Sequence, residues 1–124
     1  AWEAAAAPAK AIRVVHPRLG VVLTPAGGAL AKLLPPFQLG AGGPMGSGRQ
    51  WWSTIGMDDV LAGLHFLALH ETLDGPVNLV SPEPLPNAEF ARALGRVLER
   101  PALVPTPAFA LKLLLGAEQA QAML

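Results

Sequence analysis

Between Gly27 and Trp52 the chain is so dense in glycine, proline and tryptophan that few backbone paths can carry it. The run Gly27-Gly28-Ala29-Leu30-Ala31-Lys32-Leu33-Leu34-Pro35-Pro36-Phe37 is followed by Gly42-Gly43-Pro44-Met45-Gly46-Ser47-Gly48-Arg49-Gln50-Trp51-Trp52. Glycine opens conformations that other residues resist and proline fixes φ, so this non-repeating stretch is expected to form a shaped crevice wall. Arg49 with Trp51 and Trp52 sets a permanent cation beside flat aromatic surface, which suits a phosphorylated or sugar-like ligand. The competing reading is a loop pinned by a buried indole. As a phosphate cradle the stretch Gly43-Pro44-Met45-Gly46-Ser47-Gly48 is weak, because no lysine and no helix start follow it.

The 124 residues fit a single domain and exclude a second full one. Nine basic and nine acidic residues leave a formal net charge of zero, so nothing in the charge balance points to nucleic acid or to an anionic membrane. Hydrophobic residues make up 52% and charged residues only 15%, so part of the apolar surface is expected to face other protein. The chain has no apolar run long enough for a membrane span and no basic leader before its Ala-rich start, and it reads as cytoplasmic. With no cysteine there is neither a disulfide nor a thiolate metal site. His16, His65 and His70 lack a zinc-ligand pattern; the last two would point about 140° apart on a helix.

Along the chain, Trp2 to Ala11 favours helix that Pro8 bends or ends, and Arg13 to Leu23 reads as a strand with Pro17 as an irregularity. Its near-continuous apolar character suits a parallel sheet. A short helix is expected from Gly28 to Leu34, stopped by Pro35, and a strand from Trp51 to Ile55. Asp58 is expected to cap a helix running to about Glu71 on Val60, Leu61, Leu64, Leu67 and Ala68. Asp74-Gly75-Pro76 then turns the chain into a strand from Val77 to Val80. After the stiff connector Ser81-Pro82-Glu83-Pro84-Leu85-Pro86, Asn87 is expected to cap a helix to about Glu99. Phe90, Leu94, Val97 and Leu98 form its apolar face, and Arg92, Arg96 and Arg100 face water. Ala102 to Pro105 can be extended, Thr106 caps and Pro107 starts another helix, and Gly116 interrupts before a tail from Ala117 to Leu124. Both ends of the chain read as cut from a longer protein.

Asp58-Asp59 reads as a helix start compensating the dipole rather than as an acid/base pair, since adjacent helical residues do not face one another. Arg18 inside an apolar strand must emerge or be paired, and Asp59 is the expected partner. Lys32 is either a surface lysine or points into the crevice. No Ser or Thr sits in a nucleophile elbow, and no histidine has a nucleophile partner.

Taken in order, Trp2-Glu3-Ala4-Ala5, Arg18-Leu19-Gly20-Val21-Val22-Leu23, Gly27-Gly28-Ala29-Leu30-Ala31-Lys32, the Gly42 to Gln50 stretch, Asp58-Asp59 and Pro82-Glu83-Pro84 through Asn87-Ala88-Glu89-Phe90 resemble one family. It is the C-terminal part of the atypical extended short-chain dehydrogenase/reductases, the NAD-dependent epimerase/dehydratase-like or nucleoside-diphosphate-sugar epimerase proteins. Arg100-Pro101-Ala102, Pro105 to Leu111 and Leu113 to Gly116 resemble the short C-terminal module that ends this family. The resemblance covers essentially the whole chain. It implies an α/β fold: the C-terminal part of an extended Rossmann-type fold, with the last sheet strands plus a small mixed α/β substrate lobe, lacking the N-terminal nucleotide-binding motif. Residues 1–76 would be the end of the Rossmann sheet and the substrate-side lobe, and 77–124 the C-terminal module continuous with it.

By the same resemblance Arg18, Val22 and Leu23 would lie on the cofactor side, and Lys32, Arg49, Gln50 and Trp51 on the substrate side. One departure is that Thr54-Ile55-Gly56 stands where the family usually has Trp-Ile-His. The family's catalytic Tyr and Gly-rich loop precede this region, and the chain contains no Tyr. NAD or NADP is therefore expected in the complete parent protein and not for this chain alone, and no residue here is assigned a catalytic or metal-ligating role. The parent's substrate would be a small molecule of the nucleotide-sugar class. A Rossmann half would be supplied in cis or in trans. The alternatives are a non-catalytic module that docks a partner chain, and a decayed fragment that exposes surface meant for an absent lobe.

Overall fold

The structure, a computed structural model, describes residues 2–123. Extended chain from Val15 to Leu23 forms its axis. It divides into β1 (Val15–Leu19) and β2 (Val21–Leu23), on either side of Gly20. β1 runs parallel to β5 (Gly75–Leu79), with Val15 opposite Gly75 and Leu19 opposite Leu79. β2 runs parallel to β4 (Thr54–Gly56), with Val21 opposite Thr54 and Leu23 opposite Gly56. The changeover is made by consecutive amides: Gly20 N–H donates to Leu79 O at 3.0 Å and Val21 N–H to Ser53 O at 2.8 Å. Three chains meet there, and Ser81 N–H also donates to Thr54 O at 2.7 Å. A Cβ at Gly20 would come within 2.7 Å of Ser53 O, so only glycine fits at the junction.

The third pair is antiparallel: β3 (Trp51–Trp52) lies against β6 (Leu85–Pro86). Helices follow the strands: α1 (Gly28–Gln38), α2 (Met57–Leu69), α3 (Asn87–Val97), α4 (Ala108–Leu115) and α5 (Ala117–Met123). Leu33 and Phe37 of α1, Met45, Trp52, Ala91 of α3 and Ala120 of α5 form the core, with Phe90, Leu94 and Leu98 packed on it. Trp52 and Phe90 meet with ring centroids 5.0 Å apart.

Several local expectations are corrected. The helix begun at Gly28 does not stop at Pro35; it carries Pro35 and Pro36 inside it to Gln38. Each proline removes one donor, but the proline carbonyls still accept from Leu39 and Ala41, and burial of Leu33 and Phe37 one turn apart outweighs the loss. At the start of the chain only Glu3–Ala6 is helical, as a single 3₁₀ turn before Pro8. α2 has no side-chain cap, and Asp58 and Asp59 both lie in its first turn, where they oppose the helix dipole. Of its expected apolar face Val60 and Leu67 are buried, while Leu61 and Leu64 are exposed. α3 holds Phe90, Leu94 and Leu98 inward but leaves Val97 in solvent. Thr106 does not cap α4; its backbone N–H donates to Pro44 O and its carbonyl accepts from Gly46. Gly116, at φ +86°, separates α4 from α5, and of the expected tail Leu124 lies outside the described residues.

Candidate functional site

In open α/β sheets ligands bind beyond the carboxyl ends of parallel strands. Here β2 and β4 end side by side at Leu23 and Gly56. From Leu23 the chain turns through Thr24-Pro25-Ala26, with Ala26 N–H donating to Thr24 Oγ1 at 3.2 Å, and enters α1 through Gly27-Gly28. Gly28 has φ +67°, and open space lies where a Cβ at either glycine would sit. Val22 and Leu23 are half-buried along this edge.

Arg18 is not brought to it. Five residues earlier on the same extended run, about 16 Å by strand rise, it lies on β1 and answers to β5. Its partner is Glu3, not Asp59: Nε donates to Oε1 at 2.7 Å and Nη2 to Oε2 at 2.9 Å. The Arg18 hydrogen bond holds the Glu3 carboxyl below its ordinary range, and the same bond raises the guanidinium. Sequence spacing could not find this pair, because Glu3 reaches β1 only once the first turn folds back.

The glycine-rich stretch is shaped mainly by neighbouring protein. A Cβ at Gly42 would collide with the Phe37 ring, and one at Gly43 with the Val104 carbonyl. Residues 104–106 run alongside, with Val104 N–H donating to Gly42 O, Thr106 N–H to Pro44 O and Gly46 N–H to Thr106 O. These glycines permit close packing, which corrects the expectation that the whole stretch is a crevice wall. Past Gly48 the chain does reach solvent: Arg49 is exposed, its N–H donating to Ser47 Oγ at 3.3 Å. Trp51 is 69% exposed and Trp52 only 4%, because neighbours on a strand face opposite ways. The expected double-indole surface is therefore one exposed indole beside Arg49 and one indole in the core. Gln50 is partly buried and donates from Nε2 to Met45 O at 3.0 Å, bracing the loop. Lys32 is exposed on α1.

Two residues stand out that the sequence did not single out for these roles. Asn87 does not cap α3; its Oδ1 accepts the Met45 N–H at 2.7 Å. Arg13 donates to Ala68 O at 3.0 Å and Leu73 O at 2.8 Å, closing the end of α2. Gly56, in the position of the family's histidine, has ordinary extended backbone, and an added Cβ would meet only Asp59 Oδ2 at 3.5 Å. A Cβ would therefore fit at this position.

Two cavities lie elsewhere. An open groove of about 640 Å³ runs between the end of α3 and residues 100–103, and one of about 250 Å³ lies between β1 and α2. Neither is lined by the candidate residues. In the larger, Arg92 Nε and Arg100 Nε are already engaged by the Ala88 and Gln38 carbonyls, and Glu89 and Glu99 offset the charge.

Parallel strands that carry helices at their carboxyl ends, with a glycine turn at the open edge, define a piece of a Rossmann-type α/β fold. No protein-family model matches the chain. It is 44% identical over 117 residues to an epimerase family protein of Mycobacterium bovis, covering 93% of this chain and 39% of that protein. It is 46% identical over 116 residues to the chloroplastic SDR39U1 homolog of Arabidopsis thaliana, covering 93% of this chain and 33% of that one. The crystal structure of human epimerase family protein SDR39U1 with NADPH superposes with a TM-score of 0.88 at 39% identity, over 98% of this chain and 42% of that one. The chain thus groups with the epimerase family proteins, its match being consistent with the C-terminal part of an extended short-chain dehydrogenase/reductase, and it spans about two fifths of the relatives it matches. Among the described residues no helix is long and apolar enough to cross a membrane. The chloroplastic relative shows that a cytoplasmic location is not general in the family.

Proposed function

We propose that this chain is the substrate-side, C-terminal portion of an NAD(P)-dependent nucleotide-sugar epimerase/dehydratase-like oxidoreductase, and that it is not catalytic alone. The observation that carries this reading is the exposed pair Arg49 and Trp51, displayed on a loop whose remaining residues are anchored. A guanidinium fork suits the diphosphate of a nucleotide sugar and an exposed indole suits the flat face of a base or sugar. Lys32 completes the substrate side, and Gln50 braces the loop that carries Arg49 and Trp51. Val22 and Leu23, at the carboxyl end of β2, flank the nicotinamide cofactor, while Arg18, held by Glu3 on β1, stands back from it. The NADPH in the human SDR39U1 structure supports a nicotinamide cofactor for the complete protein. The usual tyrosine proton donor of the family is not supplied by this chain, which has no Tyr.

The test uses the native polypeptide that contains these residues. NADPH binding is read from nicotinamide fluorescence, and UDP-glucose, GDP-mannose and dTDP-glucose are titrated by calorimetry. Binding of NADPH and of at least one nucleotide sugar, with Arg49→Ala weakening the sugar tenfold or more and leaving NADPH within twofold, is the expected result. Equal affinities in the wild type and Arg49→Ala would remove Arg49 from the site.

A second reading is favoured by α2, where Met57, Leu61 and Leu64, spaced one turn apart on one face, are 40%, 60% and 40% exposed. Such a row on one helix is a protein-docking surface, for a Rossmann half in cis or a partner chain in trans. Cross-linking from position 61 distinguishes the two: an intramolecular product supports the first and a second polypeptide the other.

A further inference from the structure

We propose that Asn87, the first residue of α3, is a positioning residue that sets the place of Arg49 and Trp51 by holding the backbone of residues 45–50. The inference rests on the reading of Arg49 and Trp51 as substrate contacts. Asn87 is wholly buried. Its Oδ1 accepts the Met45 N–H at 2.7 Å and its own N–H donates to Gln50 O at 2.8 Å, while the next amide, Ala88, donates to Gly48 O at 2.9 Å. Arg49 therefore lies between two carbonyls that the start of α3 has fixed, and Trp51 follows the second at once.

The loop has no slack to take up an error. Gly48, at φ +66°, is pressed so closely on this helix that an added Cβ would lie 2.9 Å from Pro44 Cβ and 3.1 Å from Ala88 Cβ. Gln50 Nε2 on Met45 O ties the two ends of the loop together, so a shift at Met45 is carried to residue 50. The side-chain acceptor is the part of Asn87 that the loop uses. Nδ2 is buried with no hydrogen-bond partner among the described residues, and an amide turned the other way would set donor against donor at Met45. The first turn of α3 meanwhile has no side-chain cap, although an asparagine at a helix start usually supplies one. The side chain reaches across to the loop instead.

The experiment is a double-mutant cycle in the native polypeptide, read with whichever of UDP-glucose, GDP-mannose and dTDP-glucose binds the wild type most tightly. Asn87→Leu keeps the branched outline of the side chain, with bulkier methyl groups, and removes the acceptor. It is expected to weaken the nucleotide sugar about tenfold and to leave NADPH within twofold. In the Arg49→Ala background the same change is expected to cost clearly less than in the wild type, because the share of its effect that runs through Arg49 is already lost and only the share through Trp51 remains. A folded Asn87→Leu protein with wild-type sugar affinity, beside a weakened Arg49→Ala, overturns the positioning role and leaves the site reading standing. Full additivity of the two changes overturns it as well. If neither change moves the affinity, the site reading itself fails.

A measurement on the wild type needs no variant. The Met45 amide is expected to exchange at least a hundredfold more slowly than in an unfolded chain, and at least tenfold more slowly again with the nucleotide sugar bound. An unprotected or ligand-insensitive Met45 amide overturns the proposal whether or not Asn87→Leu folds.

Discussion

Arg18 grips Glu3 through two parallel hydrogen bonds, at 2.7 and 2.9 Å, and so ties the first turn of the chain to β1. The two-pronged geometry is the strong form of an arginine–carboxylate contact, yet the pair sits in solvent and is screened by salt. The Arg18 hydrogen bond holds the Glu3 carboxyl below its unfolded value, so the folded state binds this proton less readily than the unfolded one. The contribution is therefore present above the unfolded carboxylate value and lost as pH falls through the folded one. Wild type and Glu3→Gln should differ in amide exchange over residues 4–9 at pH 7 and low salt, and should coincide at about pH 2. A difference that persists in acid would mean that packing, not the ion pair, holds the turn.

Gly20 and Gly27 separate two reasons for glycine. Gly20→Ala drives a Cβ toward Ser53 O at the strand changeover and should cost about 1–3 kcal/mol in urea unfolding. Gly27, with φ 178° and open space around it, is ordinary extended backbone. Gly27→Ala should fall within about 1 kcal/mol of wild type. Equal losses at the two positions would contradict the crowding seen at Gly20.

The difference between these glycines marks what the sequence could reveal. The β-branched run through Val14, Val15, Val21 and Val22 announced a parallel strand, and β1 and β2 are parallel strands, but these side chains are only half-buried rather than covered on both faces. The change of partner at Gly20 was hidden, since it depends on Ser53 and Leu79 arriving together. Pro35 was a helix stop by local rules and lost to the burial of Phe37. Asn87 read as a helix cap because nothing nearby in sequence shows that Met45 lacks a partner for its N–H. Arg49 and Trp51 were legible as a cation beside an aromatic face, and both are exposed. The opposite fates of Trp51 and Trp52 depend on the pairing with β6.

The two adjacent tryptophans make that pairing measurable. Trp52 packs on Phe90 in the core, and Trp52→Ala should cost about 3–5 kcal/mol. Trp51→Ala should stay within about 0.5 kcal/mol, as expected of a surface position. Tryptophan emission should shift to shorter wavelength on losing Trp51 and to longer wavelength on losing Trp52. A register slip of one residue on β6 would reverse the pattern.

Arg13 supplies the last test, at the end of α2. The final carbonyls of a helix have no partners within it and carry the negative end of its dipole. Arg13 meets this end with two donors, one on Ala68 O inside the helix and one on Leu73 O beyond it, so a single side chain joins the start of β1 to the turn before β5. Arg13→Ala should cost about 1–2 kcal/mol in chemical denaturation and speed amide exchange in the last turn of α2. Arg13→Lys keeps the charge but cannot reach both carbonyls in one plane, and should recover less than half of the loss. Full recovery by lysine would show that the dipole alone matters and that the link to Leu73 is incidental.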